Sequence, residues 1–165
     1  MTKELSYQHL NHQSIAPFYH ADSRILILGS FPSVGSRKAG FYFAYPTNRF
    51  FKVLALLFTE SEPIGTENRK AFLARHHIAL FDVISECDIH ASGDSTIKNV
   101  IVNDFTPILK TARIQAIFTT GSTAHQLYET YVGKGSIALP SSSAANASLS
   151  LAKLVEAYRV ILKYL

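Results

Sequence analysis

The chain is 165 residues long and carries Lys+Arg 16 against Asp+Glu 12, giving a formal charge of +4 and a pI of about 9.2. That length suits a single domain over residues 1–165 with residues 1–20 as a flexible N-terminal segment, and the basic excess tilts the expected partner toward a polyanion. The lone Cys87 excludes an internal disulfide, an iron–sulfur cluster and a multi-thiolate zinc site in a monomer, and no apolar run reaches signal-peptide or membrane-span length, so a soluble cytoplasmic protein without a membrane partner is expected.

Ile25-Leu26-Ile27-Leu28 reads as a buried strand over 24–28, and Gly29-Ser30-Phe31-Pro32-Ser33 forces a sharp exit from its carboxyl end. After a long loop, Phe50, Phe51, Leu54, Leu57 and Phe58 fall on one helical face, with Thr47 as cap and Asn48 in the first turn. Thr66 opens a second helix that ends near His76, and Ile78-Ala79-Leu80-Phe81 is another apolar strand. Residues 82–103 show no clear period and read as irregular. Asp104 caps a short helix with Pro107 in its first turn, and residues 114–118 form the third strand. Gly121-Ser122 opens a helix whose buried side is Leu127, Tyr128 and Tyr131. Residues 136–139 make a short fourth strand, after which Leu151, Leu154, Val155, Tyr158, Ile161, Leu162 and Leu165 repeat at helical spacing. The alternation predicts an α/β fold, a parallel sheet sandwiched between helices as an α/β/α three-layer domain.

In such a sheet ligands bind beyond the carboxyl ends of the strands. Two polar loops would meet there, Gly29–Ser33 and Leu139-Pro140-Ser141-Ser142-Ser143-Ala144-Ala145-Asn146. Between them in sequence, Arg37, Lys38 and Arg49 are interleaved with Phe41, Tyr42, Phe43, Tyr45, Phe50 and Phe51, cations for phosphates beside faces that can stack bases. Helical periodicity makes Phe50 and Phe51 core; Phe31, Tyr42, Phe43 and Tyr45 can serve either packing or a ligand. Asn48 can cap the helix or position a water or a base edge while staying neutral. Ser141, Ser142 and Ser143 can clamp phosphates or simply precede a helix, and Asp94-Ser95-Thr96 can cap or contact substrate. His76, His77, His90 and His125 lack partners at metal-ligand spacing, so neither metal nor cofactor is expected. A nucleophile elbow and a P-loop are both missing.

The blocks resemble a known family. Gly29-Ser30-Phe31-Pro32-Ser33, Ser36 and Phe41-Tyr42-Phe43-Ala44-Tyr45-Pro46-Thr47-Asn48-Arg49-Phe50-Phe51 are similar to the first motif block of the hypoxanthine-DNA glycosylases, the sixth family of the uracil-DNA glycosylase superfamily. Phe81-Asp82-Val83-Ile84, Cys87 and Asp94-Ser95 with Ile97 resemble its middle block, and Leu139 to Ala147 its Leu-Pro-Ser-Thr-Ser-Pro-Ala-Asn-Ala loop. The similarity spans roughly residues 15–160 in the right order. Tyr45, Thr47, Phe51, Ser142 and Ala144 stand where the family usually has His, Gln, Trp, Thr and Pro.

The resemblance implies a four-stranded parallel sheet, a catalytic Asn48, and excision of a deaminated base, most simply hypoxanthine, without metal or cofactor. Gly29, Ser30, Phe31, Pro32 and Phe43 would then bind the flipped base. Ser33, Arg49, Ser141, Ser142, Ser143, Ala144, Ala145 and Asn146 would contact double-stranded or single-stranded DNA, with Ala144-Ala145 filling the emptied stack. Asn48 would orient a water toward the sugar C1′. A monomeric, monofunctional glycosylase is expected. The alternatives are a uracil-preferring enzyme on the same scaffold and a catalytically silent module that binds nucleic acid or a nucleobase.

Overall fold

The computed structural model describes residues 6–11, 15–90 and 96–165. Asp94 and Ser95, expected in the middle motif block, lie outside the described residues. In chain order the first half comprises β1 (Gln8–Asn11), β2 (Ile25–Gly29), α1 (Val34–Ala39), α2 (Phe50–Phe58), α3 (Thr66–Arg75) and β3 (Ile78–Asp82). It continues through β4 (Ile84–Ile89), β5 (Lys98–Val102), α4 (Thr106–Thr111), β6 (Ala116–Thr120), α5 (Ser122–Tyr131), β7 (Ile137–Leu139) and α6 (Leu151–Tyr158), closing on a 3₁₀ turn over Arg159–Tyr164.

Four strands form the expected parallel sheet in the order β3-β2-β6-β7. β2 is central because it is apolar throughout: Ile25, Leu26, Ile27 and Leu28 are each 0% exposed, which a strand achieves only with neighbours on both edges and cover on both faces. It pairs with β3 from Ile25↔Ile78 to Gly29↔Asp82, and with β6 from Ile25↔Ala116 to Leu28↔Thr119. The chain steps one way from β2 to β3, then back past β2 to β6 and β7. Right-handed crossovers therefore place α2 and α3 on one face and α4 and α5 on the other. The packing agrees, for α2 lies against α6, while Phe105 at the head of α4 sits 6.4 Å from Tyr128 of α5. The reversal of direction falls between β2 and β6, the place where an open sheet leaves a crevice at its carboxyl rim.

The described part of residues 82–103, expected to be irregular, holds two strands. β1, β4 and β5 form a second, antiparallel sheet in the order β1-β4-β5. Its signal is hidden because the β4–β5 register shifts between Ile84 and Glu86 and again between Glu86 and Asp88, which breaks the period of two. Residues 8–11, within the segment expected to be flexible, pair with β4 from Gln8↔Ile89 to Asn11↔Glu86, and Phe18 exchanges main-chain hydrogen bonds of 2.9 Å with Leu80. The long loop after β2 holds α1, capped by Ser33, whose side chain accepts from the Ser36 amide. Tyr131, expected on the buried side of α5, is 55% exposed, and the third strand runs two residues later than expected, at Ala116–Thr120.

β1 is tethered by charge as well as by its ladder. His9 meets Asp88 at 2.9 Å and Glu86 at 3.2 Å, and these hydrogen bonds, Asp88 foremost, hold its pKa above the ordinary 6.5. A raised imidazole pKa stabilises the folded state fully below the unfolded value and loses that contribution as pH rises through the folded value. Amide-exchange protection of β1 is therefore expected to weaken as pH rises above the ordinary imidazole value, and His9→Gln to remove that step; an unchanged step in the variant would assign it elsewhere.

Candidate active site

At the carboxyl rim lies a cavity of about 840 Å³ lined by both polar loops. Gly29, Ser30, Phe31, Pro32, Ser33, Phe43, Asn48, Ser141, Ser142, Ser143, Ala144 and Ala145 all contribute to its wall. The fold thus gathers twelve of the fourteen expected site residues into one place, and leaves out Arg49 and Asn146. A second cavity, of about 650 Å³, opens at the other end of the sheet beside Arg24, His77, Arg113 and Lys163, away from these loops.

Asn48 is half-buried on the cavity wall and stands two residues before α2 rather than in its first turn. Its Oδ1 accepts from the Phe50 amide at 2.9 Å and from the Ser142 hydroxyl at 2.9 Å. Capping and facing the cavity are therefore one arrangement, and Thr47 is left exposed at the rim. Because a backbone N–H can only donate, the Phe50 contact also fixes which end of the amide is oxygen.

Arg49 does not present its guanidinium to the cavity. Its Nη1 donates to the Leu149 carbonyl at 2.6 Å, and its Nη2 donates to the carbonyls of Asn146 at 3.0 Å and Ser143 at 3.3 Å. Its own amide donates to the Ser142 carbonyl at 3.0 Å. The side chain expected on DNA phosphate instead braces the 142–149 loop. Asn146 serves the same loop, its Nδ2 donating to the Ser141 carbonyl at 3.0 Å. The serines do not open a helix, since α6 begins only at Leu151; the Ser141 and Ser143 hydroxyls accept from the amides of Ser143 and Ala145 and hold the turn. Tyr158, placed by periodicity in the core, is fully buried with its hydroxyl donating to the Pro140 carbonyl at 2.6 Å, and burial pushes its phenol well above the usual range.

The aromatics divide. Phe50 and Phe51 are core, as helical spacing indicates. Phe43, at a left-handed φ of 53°, stacks on Phe50 with ring centroids 3.9 Å apart and planes within 15°, and also borders the cavity. Phe31 borders it too, with the Arg37 guanidinium 5.9 Å from its ring. Tyr42 is buried and donates to the Ala16 carbonyl at 2.9 Å; desolvation, reinforced by Asp82, pushes its phenol far up, so it stays neutral. Tyr45 is 52% exposed at the rim, and Lys38 brings a cation to the same wall.

Asp82 is the functional candidate missing from the sequence reading of the site. It ends β3, is 4% exposed and lines the cavity. Its Oδ1 lies so close over Gly29 that a Cβ there would come within 2.6 Å of it. A carboxylate directly after an apolar strand, at the rim where ligands bind, was the available signal. Among the described residues, no three His, Cys, Asp or Glu side chains gather as a metal site, and no helix is long and apolar enough to cross a membrane.

A strand-end turn, an amide before a helix and a serine loop thus share one cavity at the switch point of the sheet, and the family model described as the Uracil DNA glycosylase superfamily matches residues 16–165. The chain belongs to the uracil DNA glycosylase superfamily. Within that superfamily it is similar to a protein named hypoxanthine DNA glycosylase from Methanosarcina barkeri, 33% identical over 99 residues, 59% of this chain and 62% of that one. The match therefore spans about three fifths of that relative's length. A second protein of that name, from Methanosarcina acetivorans, is 30% identical over 133 residues, 78% of this chain and 84% of that one. The solution NMR structure of a candidate uracil DNA glycosylase from Methanosarcina acetivorans superposes with a TM-score of 0.71 at 26% identity, covering 88% of this chain and 95% of that one.

The tight approach of Asp82 to Gly29 makes a sharp prediction. Gly29→Ala must displace the carboxylate or the strand end, and is expected to cost about 1–3 kcal/mol in chemical denaturation, as overpacking does. An unchanged denaturation midpoint would show that the Asp82 carboxylate moves aside at little cost.

Proposed function

We propose that the chain is a hypoxanthine-excising member of the sixth family of the superfamily, a monofunctional glycosylase that hydrolyses the N-glycosidic bond of deoxyinosine in base-excision repair. It acts as a cytoplasmic monomer on double- or single-stranded DNA and uses no metal or cofactor. What carries the reading is Asn48, fixed on the cavity wall between the Gly29–Ser33 turn and the Ser141–Ala145 loop. The two relatives named hypoxanthine DNA glycosylase, at 33% and 30% identity, support the choice of base.

The damaged nucleotide leaves the stack for the cavity, at a cost lowest for a mispaired base. Exposed Ala144 and Ala145 at the loop tip occupy the space left behind, and the rim, with Lys38 and the serine hydroxyls, meets phosphates. Phe43, backed by Phe50, offers a ready stacking face, and Phe31 adds a second ring to the cavity wall. Asp82 supplies an acceptor. Deamination of adenine turns ring N1 from an acceptor into an N–H donor, so a carboxylate favours hypoxanthine and repels the parent base. The same logic covers uracil against cytosine, which keeps a uracil-preferring enzyme as the competing outcome.

Single-turnover release from duplexes carrying one deoxyinosine, one deoxyuridine or no lesion, with abasic sites revealed by alkali, tests the reading. Deoxyinosine is expected to be released fastest, without a borohydride-trappable adduct. Asn48→Ala should lower that rate by about 100-fold or more while DNA affinity changes little. Faster release from deoxyuridine would move the substrate, and binding without any release would make the chain a silent binding module. For Asp82→Asn, whose amide can also donate, the preference for hypoxanthine over adenine in single strands is expected to fall by about tenfold or more. An unchanged preference would remove Asp82 from base reading.

A further inference from the structure

We infer that Asn48 works from its amide nitrogen, as a hydrogen-bond donor to the departing base, and that Ser142 is the positioning residue that commits it to this role. The inference rests on the glycosylase reading above, and it replaces the expectation that Asn48 orients the attacking water with its oxygen.

The carboxamide oxygen has two lone pairs, and both are taken. The Phe50 amide donates to it at 2.9 Å and the Ser142 hydroxyl donates to it at 2.9 Å. Neither bond is incidental. The first holds the Phe50 amide at the start of α2, where the N-cap residue Arg49 offers no side-chain cap, and leaving a helix amide unpaired is costly. The second comes from a hydroxyl that is 1% exposed and has no water to turn to; its other neighbour is the Tyr158 phenol, whose own hydrogen is given to the Pro140 carbonyl. The Arg49 amide holds the Ser142 carbonyl at 3.0 Å, and Tyr158 holds the Pro140 carbonyl, two residues earlier in the same loop, at 2.6 Å. What remains of Asn48 is its Nδ2, for which no acceptor stands among the described residues and which belongs to a residue on the cavity wall.

A donor cannot take a proton from water, but it can stabilise the leaving group. As the bond from C1′ to N9 of hypoxanthine breaks, its electron pair stays on the base and spreads over N3, N7 and O6. An N–H aimed at one of these atoms strengthens as that charge develops. Water then adds its oxygen to C1′ and releases one proton to solvent, while the base anion takes one up, so atoms and charge balance without a general base. Ser142 supplies the one property this arrangement needs, a hydroxyl that donates to Oδ1.

Asn48→Asp separates donor from acceptor. One carboxylate oxygen keeps both inherited hydrogen bonds, and the other presents an acceptor where Nδ2 stood. If the donor is what matters, single-turnover release from a deoxyinosine duplex falls by about 100-fold to 1000-fold, as far as in Asn48→Ala, and recovers as pH is lowered and the carboxyl gains a proton to donate. The titratable side chains bordering the cavity are Lys38, Tyr42, Tyr45 and Asp82, with Arg49 and Tyr158 behind the Ser142 loop, and the wild-type pH profile carries their contribution. Ser142→Ala is expected to lose about tenfold, Ser142→Thr to recover it, and Ser142→Ala in an Asn48→Ala background to cost nothing further. Asn48→Asp retaining a third or more of the wild-type rate, or losing rate as pH falls, overturns the inference and leaves the glycosylase reading standing. A wild-type chain that releases no deaminated base overturns that reading itself. Should Asn48→Asp fail to fold, equal losses from Ser142→Ala with and without Asn48 overturn the positioning role.

Discussion

The arrangement of this site depends on one half-buried guanidinium. Arg49 sits between the residue that faces the cavity and the helix that carries it, and its side chain reaches across to the carbonyls of Ser143, Asn146 and Leu149. Between 94 and 100 residues of chain separate Arg49 from these partners, so the contact ties two distant segments together. Arginine suits the task because its planar fork addresses several carbonyls at once and keeps its charge, which a lysine ammonium could not do from one point. The resulting carbonyl hydrogen bonds are charge-assisted and stronger than neutral ones. The serine loop is thereby held against Asn48 without belonging to any regular element.

The parallel sheet supplies the frame on which this brace works. The chain reverses direction between β2 and β6, and Gly29 and Thr120 at their ends border the cavity together. The lack of a side chain at Gly29 lets Asp82 lean over the strand end. Packing, rather than charge, sets the depth of the pocket: Phe50 is 0% exposed, and Phe43 is pressed flat against it. A left-handed backbone at Phe43 costs about 1 kcal/mol or more, tolerated where the surrounding structure determines the residue. The aromatic run thus divides between core and cavity wall.

The sequence was most readable where one period ruled. β2, β3, α2, α3 and α6 follow from unbroken apolar runs or helical spacing. The three-stranded sheet was lost because bulges disturb the alternation in β4 and because β1, Gln-His-Leu-Asn, is mostly polar and owes its place to pairing with β4. At the site, residue types and order were legible through the motif blocks, but geometry was not. Arg49 has the charge of a phosphate contact and the geometry of a brace, and no local pattern separates the two. Asp82 and Tyr158 were read as parts of a motif block and of a core stripe. Their polar atoms gained meaning only when distant segments came to rest beside them.

The edges of the two sheets have a further consequence. In the parallel sheet, β3 is covered by the bridge from Phe18 to Leu80, and β7 offers only three residues. In the antiparallel sheet β1 is four residues long, while β5 is bent by register shifts and by Asn99 at a φ of 54°, with Lys98 beside it. Among the described residues, no border of either sheet is long, regular and uncharged enough to make a ready template for a strand from another copy. A molecule built around a row of fully buried apolar strands is in this way shielded from edge-to-edge polymerisation, even with Ile101 left 55% exposed.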